Sequence, residues 1–186
     1  SEARRNTKKT SQTQNQLTQK LWQPKWSTKN RSKAPWSKLK QMLNRSLINK
    51  TFPIIKFDVE KQRVKFFSKV TGQTDPVYFD EKAALEKGYP SLLTPPTFLT
   101  TVGHEQKNPY QYLDDLSISM KDVLHAGQKY KYYKLVFAGD KIIMKSKIKD
   151  IYHKKNGTLK FVEIESLFIN QNKDSVVESI STLVIR

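Results

Sequence analysis

Apolar and polar residues alternate along the second half of the chain, in four runs separated by turn residues. The runs cover residues 123–137, 141–152, 158–170 and 175–185. Period-two alternation bounded by Gly, Asn and Asp predicts β-strands joined by hairpins. We therefore expect an antiparallel meander, preceded by a short strand over residues 54–59.

The middle hairpin has a register that can be tested by the side chains it sets opposite each other. With a three-residue loop at residues 155–157, apolar pairs fall on one side and opposite charges on the other, which stabilises the pairing. Asn156 and Gly157 would supply the left-handed conformation of that loop. The predicted pairs are Lys154 with Thr158, Ile148 with Ile164, Met144 with Phe168, Lys149 with Glu163, and Lys147 with Glu165.

Helical spacing is found in the segments before this sheet. Residues 60–70 are predicted to form a helix whose inward side chains are Val64, Phe66, Phe67 and Val70. Residues 81–87 are predicted to form a second helix, with Asp80 as its N-cap and Gly88 just past its end.

A third helix is expected after Pro95 and Pro96, because two prolines can occupy only the opening of a helix. Its apolar residues mark it as buried: Phe98, Leu99, Thr101 and Val102. One helix against a long antiparallel sheet is an α+β arrangement.

The first 50 residues differ in composition from the rest. They hold 13 of the 34 Lys and Arg residues but one of the 17 acidic residues, Glu2. Residues 1–31 contain little apolar surface and are expected to be disordered alone. Residues 35–48 place Trp36, Leu39, Met42, Leu43 and Leu47 on one helical stripe, so we expect an amphipathic helix there and favour its docking on the parent domain.

All three tryptophans of the chain lie among cations in this extension. Indoles that stack on bases beside cations that neutralise phosphates suit RNA, although packing on protein is equally open. The candidate RNA or partner residues are Arg4, Arg5, Lys8, Lys9, Trp22, Lys25, Trp26, Lys29, Arg31, Lys33, Trp36 and Lys38.

Three ordered motifs carry a resemblance to a known family. They are Gly88-Tyr89-Pro90 followed by Thr94-Pro95-Pro96-Thr97-Phe98, then Leu124-His125-Ala126-Gly127-Gln128, then Ala138-Gly139-Asp140. Over residues 52–186 the chain resembles the MaoC-like dehydratases. It is most similar to the fatty-acid-synthase-type N-terminal dehydratase domain and to the non-catalytic subunit of mycobacterial (3R)-hydroxyacyl-acyl-carrier-protein dehydratase. The resemblance implies a single hot-dog fold, a long central helix wrapped by the sheet, over residues 51–186.

The resemblance also exposes a departure. Active members carry an Asp and, five residues later, a His that together handle water or the α-proton of an acyl thioester; this chain has Gln73 and Tyr78 there. Glutamine does not titrate, and an ordinary tyrosine is protonated near neutral pH, so neither replaces that base. Asp75 is a weak substitute. The resemblance implies that an acyl thioester would be contacted by Tyr78, Thr94, Pro95, Thr97, Phe98 and His125.

Composition narrows the remaining chemistry. The chain has no cysteine, and its three histidines have no paired spacing, so neither a metal nor a cofactor is expected. His104 and His153 are expected at the surface. No apolar run is long enough for a membrane span. The basic, acid-poor start resembles a mitochondrial targeting region and favours the matrix, with a bacterial cytoplasm as the alternative.

Two functions remain, and a third is weaker. The first is a degenerate subunit that binds an acyl-carrier-protein or coenzyme A thioester and serves a catalytic hot-dog subunit; the expected partner is a homologous hot-dog subunit, in a homodimer or a heterodimer. The second is a structural subunit of a mitochondrial ribosome, whose basic arm contacts RNA or neighbouring proteins. The third is an independent dehydratase that uses Asp75.

Overall fold

A computed structural model of the chain describes residues 43–155 and 158–186. The secondary structure over these ranges is α+β. The strands are β1 (Ile55–Asp58), β2 (Val123–Tyr132), β3 (Lys141–Lys154), β4 (Leu159–Ile169) and β5 (Ser175–Ile185), and the α-helices are α1 (Lys61–Val70), α2 (Glu81–Glu86) and α3 (Gln111–Asp115). Short 3₁₀ helices cover Arg45–Leu47, Pro76–Tyr78, Phe98–Glu105 and Met120–Asp122.

The five strands form one antiparallel sheet in the order β1-β3-β4-β5-β2. Consecutive hairpins join β3, β4 and β5, as the alternation predicts. The prediction that residues 123–137 continue the same meander is wrong, because β2 pairs with β5 at the far edge and ends at Tyr132. β1 occupies the opposite edge, against β3.

The buried helix predicted after the two prolines is the 3₁₀ helix Phe98–Glu105, which has only eight residues and ends where the backbone becomes extended at Gln106. The long central helix that the resemblance implied is therefore not found among the described residues. Phe98, Leu99 and Val102 are buried. The Phe98 ring meets Phe57 of β1 and Phe67 of α1 edge to face, with centroids 6.1 and 5.5 Å apart. This helix therefore joins α1 to the sheet at the centre of the main apolar cluster.

Helix α1 buries a different face from the one predicted. Val64 is buried and Phe67 is partly buried, but Phe66 and Val70 are 69% and 61% exposed, so their predicted inward placement is wrong. At about 100° per residue, Phe66 and Val70 lie roughly 200° and 240° around the helix from Val64. Ser68 takes their place on the buried side and donates to the Val64 carbonyl at 2.7 Å.

The β3–β4 hairpin keeps the predicted register along its length but not at its tip. Ile148 faces Ile164, Lys147 faces Glu165 and Met144 faces Phe168, as predicted; Lys154 pairs with Leu159, not Thr158, so four residues separate the strands. Asn156 and Gly157 lie outside the described residues.

A bulge between Ile148 and Asp150 absorbs the extra residue of this loop. Lys149 sits in the bulge, so its predicted pairing with Glu163 is wrong. Instead the Lys149 ammonium lies 2.8 Å from Oε1 of Glu165, and the Lys147 ammonium lies 3.2 Å from Oε2 of the same carboxylate.

Most of the N-terminal predictions fall on residues 1–42, outside the described ranges, including the candidate RNA-binding cations up to Lys38 and all three tryptophans. At the end of the predicted helix over residues 35–48, the structure has the 3₁₀ helix Arg45–Leu47, with the Asn44 side chain accepting from the Ser46 amide at 3.0 Å. Leu43 and Leu47 pack against a second apolar cluster under β3, β4 and β5. Over the described ranges, no helix is both long enough and apolar enough to cross a membrane.

Candidate functional site

Two cavities lie between the sheet and the segments that cover it. The larger, about 420 Å³, is enclosed by the 3₁₀ helix Phe98–Glu105, the turn-rich segment that follows it, and strands β2 to β5. The smaller, about 220 Å³, lies at the start of that helix. Leu99 and Tyr130 line both, so the two cavities are neighbours.

The structure brings most of the predicted substrate-binding residues together at the smaller cavity. Its lining includes Tyr78, Thr94, Pro95, Thr97 and Phe98. His125 lies apart from this group and lines the larger cavity. Neither Gln73 nor Asp75 lines either one.

The loop between α1 and α2 positions Tyr78 and fixes Asp75. Gly72 has a φ of +72°, which lets the chain reverse after α1. A side-chain oxygen of Asp75 then accepts from the Val77 amide at 3.1 Å and so caps the 3₁₀ helix that presents Tyr78. The other oxygen lies 3.0 Å from the ammonium of Lys87.

These contacts decide the charge state of Asp75. The hydrogen bond from the Val77 amide, and then the one from Lys87, hold the pKa of Asp75 below its usual value. An ionised carboxylate already engaged by two donors in this way is a weak proton acceptor. Asp75 therefore serves as a cap and an ion-pair partner in this conformation.

Tyr78 has the opposite tendency. Burial raises the pKa of its phenol, and the negative charge of Asp75 raises it further. The phenol is therefore protonated at neutral pH, so Tyr78 can donate a hydrogen bond to a ligand oxygen but cannot act there as a general base.

The amides at the start of the 3₁₀ helix already have partners. Thr97, in the left-handed region with a φ of +68°, donates its amide to the Tyr132 hydroxyl at 3.2 Å. The Phe98 amide donates to the Pro95 carbonyl at 3.1 Å. A ligand oxygen held by Thr97 would therefore take the place of the Tyr132 hydroxyl.

His125 and His104 both border the larger cavity. A bulge between His125 and Gly127 interrupts the pairing of β2 with β5, and the exposed His125 ring lies 3.2 Å from the Gln128 carboxamide oxygen. His104 is exposed, as predicted, with Nδ1 3.3 Å from the Thr100 carbonyl. Sequence reasoning did not foresee that the two rings share a cavity.

His153 is not the surface residue that we predicted. Its Nε2 atom is buried and has no hydrogen-bond partner among the described residues. The bulge at Lys149 restarts the in-out alternation of β3, so His153 shares the inner face with the fully buried Ile151.

A row of hydroxyls under the larger cavity was missed by the sequence reasoning. Ser146, Ser166 and Ser179 all line it, together with Tyr130. A signal was present, because each serine lies two residues from a buried apolar residue of the same strand and therefore points the same way. The pairs are Ser146 with Met144, Ser166 with Phe168, and Ser179 with Val177.

Few side chains that could act as a general acid or base line the two cavities. Among the residues that line the two cavities in the described part of the chain, none is Asp or Glu. The two histidines of the larger cavity therefore have no cavity-lining carboxylate to orient them. The ionisable side chains that line the smaller cavity are three tyrosines and Lys134. The arrangement suits binding of a largely apolar ligand with a few hydrogen bonds.

Comparison with known proteins places this geometry in a family. The family described as FAS1-like, dehydratase domain region, matches residues 46–179. A UPF0336 protein of Leifsonia xyli subsp. xyli is 31% identical over 130 residues, covering 69% of this chain and 85% of that protein. A UPF0336 protein of Streptomyces griseus subsp. griseus is 26% identical over 145 residues, covering 77% and 95%.

Solved structures show the same fold. The C-terminally truncated HadBC (3R-hydroxyacyl-ACP dehydratase) complex from Mycobacterium tuberculosis has a TM-score of 0.62 at 24% identity, covering 74% of this chain and 96% of that one. A MaoC-like dehydratase has a TM-score of 0.67 at 15% identity, covering 75% and 42%. The ChsH1-ChsH2 complex from M. tuberculosis has a TM-score of 0.56 at 14% identity, covering 76% and 99%. The predicted hot-dog fold is confirmed.

Proposed function

This chain belongs to the FAS1-like dehydratase family of MaoC-like hot-dog proteins, and we propose that it is a catalytically degenerate subunit that binds an acyl thioester and serves a catalytic dehydratase subunit. The thioester would lie at the smaller cavity, beside Tyr78 and the start of the 3₁₀ helix. The acyl chain would pass Leu99 and Tyr130 into the larger cavity.

The observation that carries the proposal is the lining of the two cavities. Removing water from a 3-hydroxyacyl thioester needs a base for the α-proton and an acid for the leaving hydroxyl. Around the smaller cavity, the described residues offer the protonated phenol of Tyr78, together with Lys134, but no carboxylate. His104 and His125 line the larger cavity instead, without a carboxylate beside them in its lining. The cavities are of a size and apolar character that fit an acyl group, so the binding function can persist without the chemistry.

The far edge of the sheet supports a partner. β2 is ten residues long, and among the described strands it pairs on one side only, with β5. Leu124 and Tyr132 on this strand are exposed, and so are Tyr133 and Leu135 just after it. An unpaired edge strand with exposed apolar residues is typical of a protein–protein interface. By their names, the HadBC and ChsH1-ChsH2 structures are complexes.

The experiment is coexpression of the full chain with a MaoC-like subunit from the same genome that carries the Asp and His pair. We expect the two to copurify in a fixed ratio and to hydrate crotonyl-CoA or longer enoyl-CoA together. The isolated chain should bind acyl-CoA, by calorimetry, without turning it over. Turnover by the isolated chain, lost in Asp75→Ala, would favour the independent dehydratase instead. Absence of acyl-CoA binding both alone and in the complex would refute the proposal.

The compartment and the ribosomal alternative rest on the extension. The relatives reported above come from bacteria, which favours the bacterial alternative over the mitochondrial matrix. RNA binding by residues 1–42 stays a prediction from sequence. Deleting these residues keeps Leu43 and Leu47, which pack on the domain. A difference between the full and the truncated chain therefore measures the contribution of residues 1–42 alone. Salt-dependent RNA affinity that disappears on truncation would support a structural role in a ribonucleoprotein.

A further inference from the structure

Four hydroxyl side chains from four strands form one line across the inner face of the sheet. Ser146 of β3 pairs with Ser166 of β4, which pairs with Ser179 of β5, which pairs with Tyr130 of β2. All four line the larger cavity. We call these four residues the hydroxyl row.

The hydroxyl row separates two apolar regions. On one side, Met144 and Phe168 belong to the main apolar cluster. On the other side, Ile148 and Val162 belong to the second cluster. On β3 and β4, the inner face would be continuously apolar here if small apolar residues replaced Ser146 and Ser166, so packing alone does not account for these two hydroxyls. On β5, the next inward residue after Ser179 is Ser181, which lines the same cavity.

Buried hydroxyls destabilise a protein unless they find hydrogen-bond partners. Ser146 and Ser166 lie 2.8 Å apart through their Oγ atoms, and Tyr130 bonds to the Thr100 hydroxyl. In a serine pair one hydroxyl donates to the other, and the proton of the second remains for another acceptor. The row can therefore both donate to and accept from a ligand oxygen above it.

The row also lies at a defined depth. Along β5, Val177 lines the smaller cavity and Ser179 lines the larger one. Two residues of a strand span about 7 Å. A chain that enters beside Val177 therefore reaches the row after several carbons, and the small serine side chains leave room there for a substituent.

We propose that the hydroxyl row selects an acyl group bearing a hydroxyl or keto oxygen several carbons from the thioester, in preference to a plain alkyl chain of the same length. This inference rests on the proposed function, because it takes the thioester to lie at the smaller cavity. Ser146, Ser166 and Ser179 are then specificity-determining residues, since they contact the acyl chain away from the reacting carbons.

The test is calorimetric titration of the full chain with decanoyl-CoA and with decanoyl-CoA that carries one hydroxyl at successive mid-chain carbons. We expect the best hydroxylated ligand to bind about tenfold more tightly than decanoyl-CoA, as one or two net hydrogen bonds allow. The variant Ser146→Ala/Ser166→Ala/Ser179→Ala should lose that preference while it still binds decanoyl-CoA. Ser175→Ala, an exposed serine at the start of β5 that lines neither cavity, is the matched control and should keep it.

Free decanoic and hydroxydecanoic acids separate the two proposals. A row-dependent preference among the free acids, with no thioester bound, would refute the thioester function and leave the selectivity standing. Equal affinities for plain and hydroxylated thioesters, or a preference that survives in the triple variant, would overturn the selectivity and leave the thioester function. Absence of binding by every ligand would overturn both.

Discussion

Two phenylalanines that the hydrophobic pattern places in the interior should differ sharply in what they contribute to stability. Phe98 is 1% exposed and meets two other rings edge to face, whereas Phe66 is 69% exposed on α1. The hydrophobic pattern assigns both to the interior. Replacing each with alanine therefore measures the tertiary burial and not the pattern.

The magnitudes follow from burial. Phe98→Ala removes a fully buried ring, which costs about 3–5 kcal/mol and includes roughly 0.5–1.5 kcal/mol for each aromatic pair. Phe66→Ala removes a ring that stays mostly in water, and alanine favours a helix by about 0.5 kcal/mol, so the free energy of unfolding should change by less than about 1 kcal/mol.

Urea unfolding followed by far-ultraviolet circular dichroism gives both numbers. With a slope of about 2 kcal/mol per molar urea, the Phe98→Ala midpoint should fall by about 2 M and the Phe66→Ala midpoint by less than 0.5 M. Phe98→Leu, which keeps much of the volume, should fall between them. Equal losses for the two alanine variants would refute the burial assigned to α1 and to the 3₁₀ helix.

The other predictions concern charge, chemistry and assembly. Hydrogen bonds from Lys149, and then Lys147, lower the pKa of Glu165, so its stabilisation is present above its usual value of 4.5 and is lost as pH falls through the lower folded value. At pH 7, Glu165→Gln should lower the free energy of unfolding by about 1 kcal/mol, seen as a lower urea midpoint than that of the wild type. The two midpoints should converge at low pH; a difference that persists there contradicts the ion pairs. Gln73→Asp with Tyr78→His should introduce hydration of crotonyl-CoA in the complex with an inactivated partner, whereas Gln73→Asn with Tyr78→Phe should not; equal rates would disprove that Gln73 and Tyr78 occupy the positions of the family's Asp and His. Leu124→Lys should weaken copurification with the partner at unchanged urea midpoint, measured by size-exclusion chromatography with light scattering; full retention would move the interface elsewhere.

Local chemistry made several parts of this protein predictable. Asp80 accepts from the Lys82 amide at 2.8 Å at the start of α2, and Gly88 follows that helix with a φ of +80°, as its residue types require. The inner register of β3 and β4 followed from matching apolar and charged pairs. The motifs also selected residues that lie close together, since five of the predicted contact residues line one cavity, while their role in binding stays a prediction.

The misses share a cause. Which side of α1 is buried depends on where the 3₁₀ helix packs, and the amphipathic pattern of α1 alone is ambiguous because Phe66 and Val70 are apolar but exposed. The bulge at Lys149 arises because the register changes by one residue between the middle of the β3–β4 hairpin and its four-residue loop. Because a bulge shifts the alternation of the strand by one residue, His153 lies on the inner face of the sheet and not at the surface, where it was expected.

The sequence by itself determined most of the strands, the helix caps and the occurrence of Gln73 and Tyr78 in the loop after α1, because each depends on residues within a few positions of one another. Only the tertiary structure decided that β2 pairs with β5, that Asp75 is tied to Lys87, and that three serines from three strands meet Tyr130 beneath a cavity. Periodicity fixes which way a side chain points from its own strand. Which side chains meet across the sheet depends on strand order, and a cavity exists only where separate segments fail to fill the space between them.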